Sequence, residues 1–398
     1  MKNLDNIYIQ ITNNKKISFS ELIYLVAFSL YFTCCMLDTT MFNNYISSQL
    51  RALITFISIV LILFKIVFLD RYSFINIITI SIFIGIVLII AYVSKYKDLL
   101  YLSFMIIGAK NTSFKKIIKV YLLIASSVTI IAMIAARLNL IENIIYYRNG
   151  QPRYSFGSIY CTDFASHIFY MILAYYYIKE DNLTYLNILV FFLLGLFTNH
   201  YCGARLDSIC IFLLCIFLIW LKQKKKKFIK NKINLILKFI LMFSVPISAI
   251  IAIYFTIIYN PNNNLLYKMN VLLTDRLKYG KLGIDIYGFS LFGQQVIMHG
   301  NGGTTKDISN YFFIDSSYIS IALRYGVIIL LIFCIYFVLL NIKLLNKNNL
   351  FIPTIIAFVA INSIVAHHFT DLAYNPFILC FFSKIELNSL SSKIKSQI

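Results

Sequence analysis

Four arginines, Arg153, Arg205, Arg276 and Arg324, stand in or beside apolar sequence. Scarce acids and imidazoles accompany them: Asp163, His167, Asp207, His299, Asp315, His367 and Asp371. Guanidinium is planar, stays charged and grips phosphate oxygens through two parallel hydrogen bonds. Several such groups in one cavity would make a polyanion site. A nearby carboxylate or imidazole could accept a proton. Asp163 and His167 stand four residues apart in TDFASH, so they share a helix face that should point into a bundle. A metal could use that pair, but nothing in the sequence completes a ligand set, and there is no D-x-D carboxylate pair. The eight cysteines lie mostly in apolar runs without metal spacing. They read as small core residues, with no zinc site and no disulfide framework.

Blander roles compete for the same residues. Arg51 and Arg137 sit at the ends of apolar runs and could snorkel to an interface. Arg148 lies in a polar loop, where water could solvate it. Arg205 and Asp207, in NHYCGARLDS, could form a structural pair in a tight turn between two apolar runs. An ionisable residue near membrane depth is otherwise a functional candidate by default. Asp315 could cap the helix suggested by DSSYISIALRYG, a helix expected to lie at a membrane interface.

The elements that must position these groups are apolar almost throughout. Of 398 residues, 60% are hydrophobic and 13% charged, and the mean hydropathy is +0.79. A soluble chain cannot hide that much apolar surface, so an all-α polytopic membrane protein is expected, one integral domain over 1–398. The start, with Lys15 and Lys16, leads into what reads as an uncleaved first helix. Apolar runs suggest about twelve crossings: 20–37, 50–69, 73–93, 98–110, 115–136, 158–178, 184–199, 205–221, 233–259, 326–342, 351–367 and 373–387. Runs 98–110 and 373–387 are short. The first must cross if Lys110, Lys115, Lys116 and Lys119 are to lie inside. Both termini are then cytoplasmic, and 260–325 forms a large extracytoplasmic loop, long enough to fold.

The net charge of +20 would suggest nucleic acid in a soluble chain. Here, cytoplasmic lysines such as KQKKKK at 222–227 account for it, and no nucleic-acid partner is expected. The arginines break the pattern. On this threading Arg51, Arg137, Arg148, Arg153, Arg205, Arg276 and Arg324 all face outward, against the positive-inside rule, and Arg71 alone faces inward. The outer aspartates and all five histidines gather with them.

These motifs, RNGQPRYSFG with TDFASH, YCGARLD, LTDRL, LFGQ with HGNGG, FFIDSSYISIALRYG and HHFTDLAYNPF, cover 148 to 377 in a consistent order. In that order, and with this topology, the chain resembles the Wzy-type, O-antigen-polymerase-like capsular and exopolysaccharide polymerases of Gram-positive bacteria. The resemblance implies a helical fold of the GT-C membrane glycosyltransferase type and a multi-pass cell-membrane location with an extracytoplasmic active site. It implies glycosyl transfer outside the membrane, and since no D-x-D pair is present to hold a metal, arginine is expected to replace it, with no cofactor. A growing glycan moves from undecaprenyl diphosphate onto a new lipid-linked repeat. Further partners implied are the lipid bilayer, a chain-length regulator and a flippase. On this view Arg205 and Arg276 hold the diphosphate, and Arg153 and Arg324 assist. Asp315 is the candidate base, with His299 its rival because related ligases favour histidine. Asp163, His167, Asp207, His367 and Asp371 are further site candidates. An O-antigen-ligase-like transferase shares topology and arginines. A flippase or transporter should instead show two related halves, which are not visible.

Overall fold

The computed structural model describes residues 8–9, 17–228, 235–304 and 310–386. The chain is mostly helical: α1 (Phe19–Asp38), α2 (Ser48–Phe64), α3 (Phe74–Ser94), α4 (Asp98–Gly108), α5 (Phe114–Arg137), α6 (Cys161–Lys179), α7 (Tyr185–Cys202) and α8 (Arg205–Phe228). After them come α9 (Leu235–Met242), α10 (Ser244–Ile257), α11 (Asn264–Leu272), α12 (Arg276–Tyr287), α13 (Ser317–Arg324), α14 (Val327–Asn346) and α15 (Phe351–Asn362). Serine or threonine side chains cap several starts. Ser18, Ser47 and Ser73 accept from the third residue onward, and Thr184 forms a reciprocal capping box with Asn187.

Seven of the described helices are long and apolar enough to cross a membrane. An eighth crossing is possible if α9 and α10, bent by 65°, form one broken span. Pro246 in the first turn of α10 has no N–H to continue the ladder from α9, which explains the break. Outward-facing apolar side chains mark the lipid side. The apolar helix α3 buries only Val87, Ile90 and Ser94.

The expected crossings at 98–110, 351–367 and 373–387 are short in the structure. α4 has 11 residues, α15 has 12, and 376–381 is a 3₁₀ turn. At 1.5 Å per residue α4 and α15 are about 16–18 Å long, against roughly 30 Å of hydrocarbon. All three segments have one end at a polar cavity. Asp98 and Asp371 line it, and α15 leads to His367 on its wall. α4 and 376–381 run from the cavity side toward the opposite end of the bundle, and α15 runs back from that end to the cavity.

That opposite end is rich in lysine. Lys65, fully buried, donates to Asp70 (2.6 Å) and to the Lys110 carbonyl (2.7 Å). Lys116 pairs with Glu21 (2.5 Å), and the Lys384 N–H bonds Thr112. The cluster Lys110, Lys115 and Lys116 therefore lies at the end expected for it relative to the arginines.

The segment 260–325 is folded where it is described, carrying α11, α12 and α13. α13 corrects the expectation of an interfacial helix. Its residues Ser317 to Leu323 are all buried, packed against α10, α12 and α14. Tyr318 donates to the Ala360 carbonyl (3.0 Å), and Ser317 to that of Ala366 (2.6 Å). Asp315 does not cap it either, since the cap position is Ser316.

The buried Lys65–Asp70 pair gives a test. Breaking one side leaves an uncompensated charge, at a cost of about 3–5 kcal/mol. Asp70→Ala should lower the thermal midpoint of the purified protein sharply. The double change Lys65→Met with Asp70→Leu should recover most of the loss, because no lone charge then remains buried.

Candidate functional site

The motif RNGQPR forms a β-hairpin, Ile145–Arg148 with Gln151–Tyr154, around Asn149–Gly150, both at positive φ. Tyr146 pairs with Arg153, so Tyr146, Arg148 and Arg153 share one face of the ladder. That face turns toward the end of α7. Arg153 Nε donates to the Cys202 carbonyl (2.8 Å), and Arg148 donates to that of Gly203 (3.3 Å). Carbonyls at a helix C-terminus carry partial negative charge and welcome cations. Gly203 holds φ +58, and a Cβ there would stand 2.8 Å from Arg153 Nε. Glycine is thus needed both for the turn and for the approach of the guanidinium.

Arg276, the first residue of α12, joins Arg148 and Arg153 in a cavity of about 330 Å³. Its Nε meets Asp315 Oδ2 at 3.2 Å, and the other Asp315 oxygen lies 4.0 Å from His367 Nδ1. Gly300 and Asn301 of HGNGG close one side. One terminal nitrogen of Arg153 is buried without a hydrogen-bond partner. Burial lowers the Arg148 pKa to about 10, with Arg153, Arg205 and Arg276 repelling its charge in the same direction. Three mutually repelling cations against two acids, Asp315 and Asp163, with one orphan donor describe an anion site.

A larger cavity of about 730 Å³ adjoins the first and shares Tyr160, Asp163, Phe313 and His367 with it. Here each arginine is already paired, Arg51 with Asp38 (2.8 Å) and Arg324 with Asp98 (3.5 Å). Arg324 also lies over the Tyr96 ring at 4.0 Å. Asp371 faces this cavity from the loop after α15. Burial pushes its carboxyl up to about 6, while the Ala373 N–H pulls it back down.

The structure therefore redistributes the expected site. Arg153, Arg276, Asp315, Asp163 and His367 converge. Arg205 does not. It is exposed on the first turn of α8, and the Cys202 and Gly203 carbonyls of that turn, rather than its guanidinium, serve the cavity. Arg324 lines the other cavity. His299 is exposed and lines neither; among the described residues only its backbone is engaged, bridging Phe312. Asp207 forms no pair with Arg205. It is buried as an acceptor for Ser166 (3.2 Å) and Asn362 (2.9 Å), tying α6, α8 and α15 together. His167 shares the inward face with Asp163 but packs as core, bonded to Thr39 (2.8 Å) and stacked on Tyr374 at 4.4 Å. Arg148, expected in a water-solvated loop, lines the cavity instead, and N-G between β-prone residues is the sequence signal for the hairpin that carries it there.

A metal could be held at His367, His368 and Asp371, whose ligand atoms lie within 4.8 Å of one another. The Arg276 and Arg324 charges that oppose protonation of His367 oppose a divalent ion there equally. All eight cysteines are free. Compared with known proteins, the chain matches no family model, no curated sequence and no solved structure.

Gly203→Ala should cost about 1–2 kcal/mol, the penalty of a left-handed conformation for an L-residue, and should displace Arg153. Thermal unfolding measures the first effect. Weaker binding of an anion probe such as sulfate, beyond what the small loss of stability explains, measures the second.

Proposed function

We propose that the chain is a polysaccharide polymerase of the outer face of the cell membrane. It joins oligosaccharide repeats carried on undecaprenyl diphosphate. The observation that carries this reading is the arginine cavity: Arg148, Arg153 and Arg276 outnumber the two acids Asp163 and Asp315, and a buried guanidinium nitrogen of Arg153 has no partner. In this reading the full chain crosses about twelve times in a GT-C-like arrangement, with both termini cytoplasmic and the arginine end outside.

A hydroxyl of the new repeat attacks the anomeric carbon of the growing chain. The bond from that carbon to the diphosphate oxygen breaks, and its electron pair leaves with the diphosphate. Charge gathers on phosphate in the transition state, where fixed cations in a water-poor site act most strongly. The hydroxyl proton passes to His367, whose Nδ1 faces Asp315 at 4.0 Å, a charge contact that would tighten to a hydrogen bond when the imidazole is protonated. Arg276 binds the far side of Asp315, which suits that carboxylate to orienting rather than to accepting the proton itself. Lipid tails lie between helices, and the folded segment 260–325 covers the sugars.

Deleting the gene should leave single lipid-linked repeats in place of polymer, read by mass spectrometry of extracted lipids. Unattached polymer would mark a ligase instead. Arg276→Ala should abolish polymer, and Arg276→Lys should restore little, since the two-pronged grip is lost. Chelation with EDTA should leave purified activity intact; strict dependence on an added divalent ion would move the centre to His367, His368 and Asp371.

The pH profile has a stated sign. His367 is faced by Asp315, Arg276, Arg324, its neighbour His368, and Asp163, Asp371 and Tyr374 across the cavities. Burial holds its pKa below 6.5; Asp315 opposes the shift, while Arg276 and Arg324 reinforce it. A neutral imidazole is the active form, so activity should stay level from pH 8 to 6.5 and fall only below that. Asp315→Asn removes the one group that raises the pKa and should move the fall to lower pH. A fall beginning above pH 7 would exclude His367 as the proton acceptor.

A further inference from the structure

The two adjoining cavities differ in charge, and that difference separates two substrates. Asp163 faces both and can be set aside. The smaller cavity then holds three guanidinium groups, of Arg148, Arg153 and Arg276, against the single carboxylate of Asp315. The larger holds two, of Arg51 and Arg324, against the carboxylates of Asp38, Asp98 and Asp371. The pairing sharpens the contrast. Both arginines of the larger cavity face a carboxylate, Asp38 or Asp98, though Arg324 Nε keeps no partner. In the smaller one Arg276 binds Asp315, while among the described residues Arg148 and Arg153 hydrogen-bond neutral carbonyls. A diphosphate is therefore drawn to the smaller cavity and repelled from the larger.

What suits the larger one is a neutral molecule rich in hydroxyls. Carboxylates accept hydrogen bonds from hydroxyls strongly. Aromatic walls, here Tyr31, Tyr101, Phe313, Tyr325 and Tyr374, offer apolar faces to the C–H side of a sugar ring and polar tips to its edges. The volume of about 730 Å³ lies within the range of ligand cavities, about 300–1,000 Å³. The cavities adjoin along the side chains they share, Tyr160, Asp163, Phe313 and His367. Groups bound on either side meet at His367.

We propose that the larger cavity is the acceptor compartment: it holds the terminal sugar of the incoming repeat, selected as a neutral polyol by Asp371 and its aromatic walls, while its carboxylates keep diphosphate out. This rests on the polymerase reading, and it adds a direction. The diphosphate-bearing end of a substrate enters only on the arginine side, so the chain that sits there is the one transferred.

The test uses full-length protein in detergent with two probes, radiolabelled inorganic pyrophosphate and the free oligosaccharide repeat. The repeat is released by mild acid from lipids of the deletion strain. Equilibrium dialysis reads pyrophosphate, and saturation-transfer NMR reads the oligosaccharide. Wild type should bind one pyrophosphate, and Arg276→Ala should lose it while still binding the oligosaccharide. Asp371→Asn keeps the oxygen that accepts from Ala373, so the loop should hold. It should keep pyrophosphate binding and weaken the oligosaccharide at least tenfold. Ala52→Trp, at an exposed position on the cavity rim, should block the oligosaccharide sterically with the same selectivity. Oligosaccharide binding lost in Arg276→Ala but kept in Asp371→Asn and Ala52→Trp would overturn the compartment, as would no oligosaccharide binding in wild type. Absence of pyrophosphate binding in every form, or no lipid-linked repeat in the deletion strain, would instead sink the polymerase reading.

Discussion

Three guanidinium groups held together inside an apolar bundle are the constraint around which this structure is arranged. Like charges in a region poor in water repel, and burial first, with Arg153, Arg205 and Arg276 in the same direction, lowers the Arg148 pKa. The bundle offsets the repulsion from three directions. The hairpin turn aims Arg148 and Arg153 together, the carbonyl end of α7 receives them, and Asp315 binds Arg276. The compensation is incomplete, since a nitrogen of Arg153 keeps no partner. Strain of this kind persists only where the surrounding fold over-determines it, and a bound anion would relieve it.

The opposite end handles charge by the contrary rule. Lys65 is paired with Asp70, whose carboxylate also accepts from Ser20 and Asn111, so every charge in that knot has a partner. It locks α1, α2 and the approach to α5. Rigidity there fixes the short segments α4 and 376–381, which run between it and the cavity. The polar cavity thus sits at a depth where a full-length helix could not end.

The membrane class and the inward face of Asp163 and His167 were legible from composition and from a spacing of four. So was the tight turn at Cys202–Arg205. The member of that turn that matters was not. Arg205 stands out in NHYCGARLDS because it is charged, yet it points to the outside, and two backbone carbonyls that no sequence pattern advertises do the positioning. His299 is the rival base only by resemblance to ligases that favour histidine, and among the described residues its backbone alone is engaged. Asp207 shows the limit in another way. A lone acid between apolar runs reads as a site, and here two neutral donors from distant helices satisfy it. Such partners come from residues far apart in the chain, so periodicity cannot reveal them.

The split between lysine and arginine follows from the same physics. Lysine is a flexible point charge, suited to snorkelling, and at the α1–α5 end it bonds single oxygens in Asp70, Glu21 and main-chain carbonyls. Arginine presents a rigid fork. It can donate to a carbonyl with one nitrogen and leave others aimed elsewhere, as Arg153 does between Cys202 and the cavity. A site that must both anchor its cations in the fold and present them to a ligand needs that divided geometry. The residue choice at each end is then a consequence of whether the charge is to be consumed by the structure or kept for something that binds.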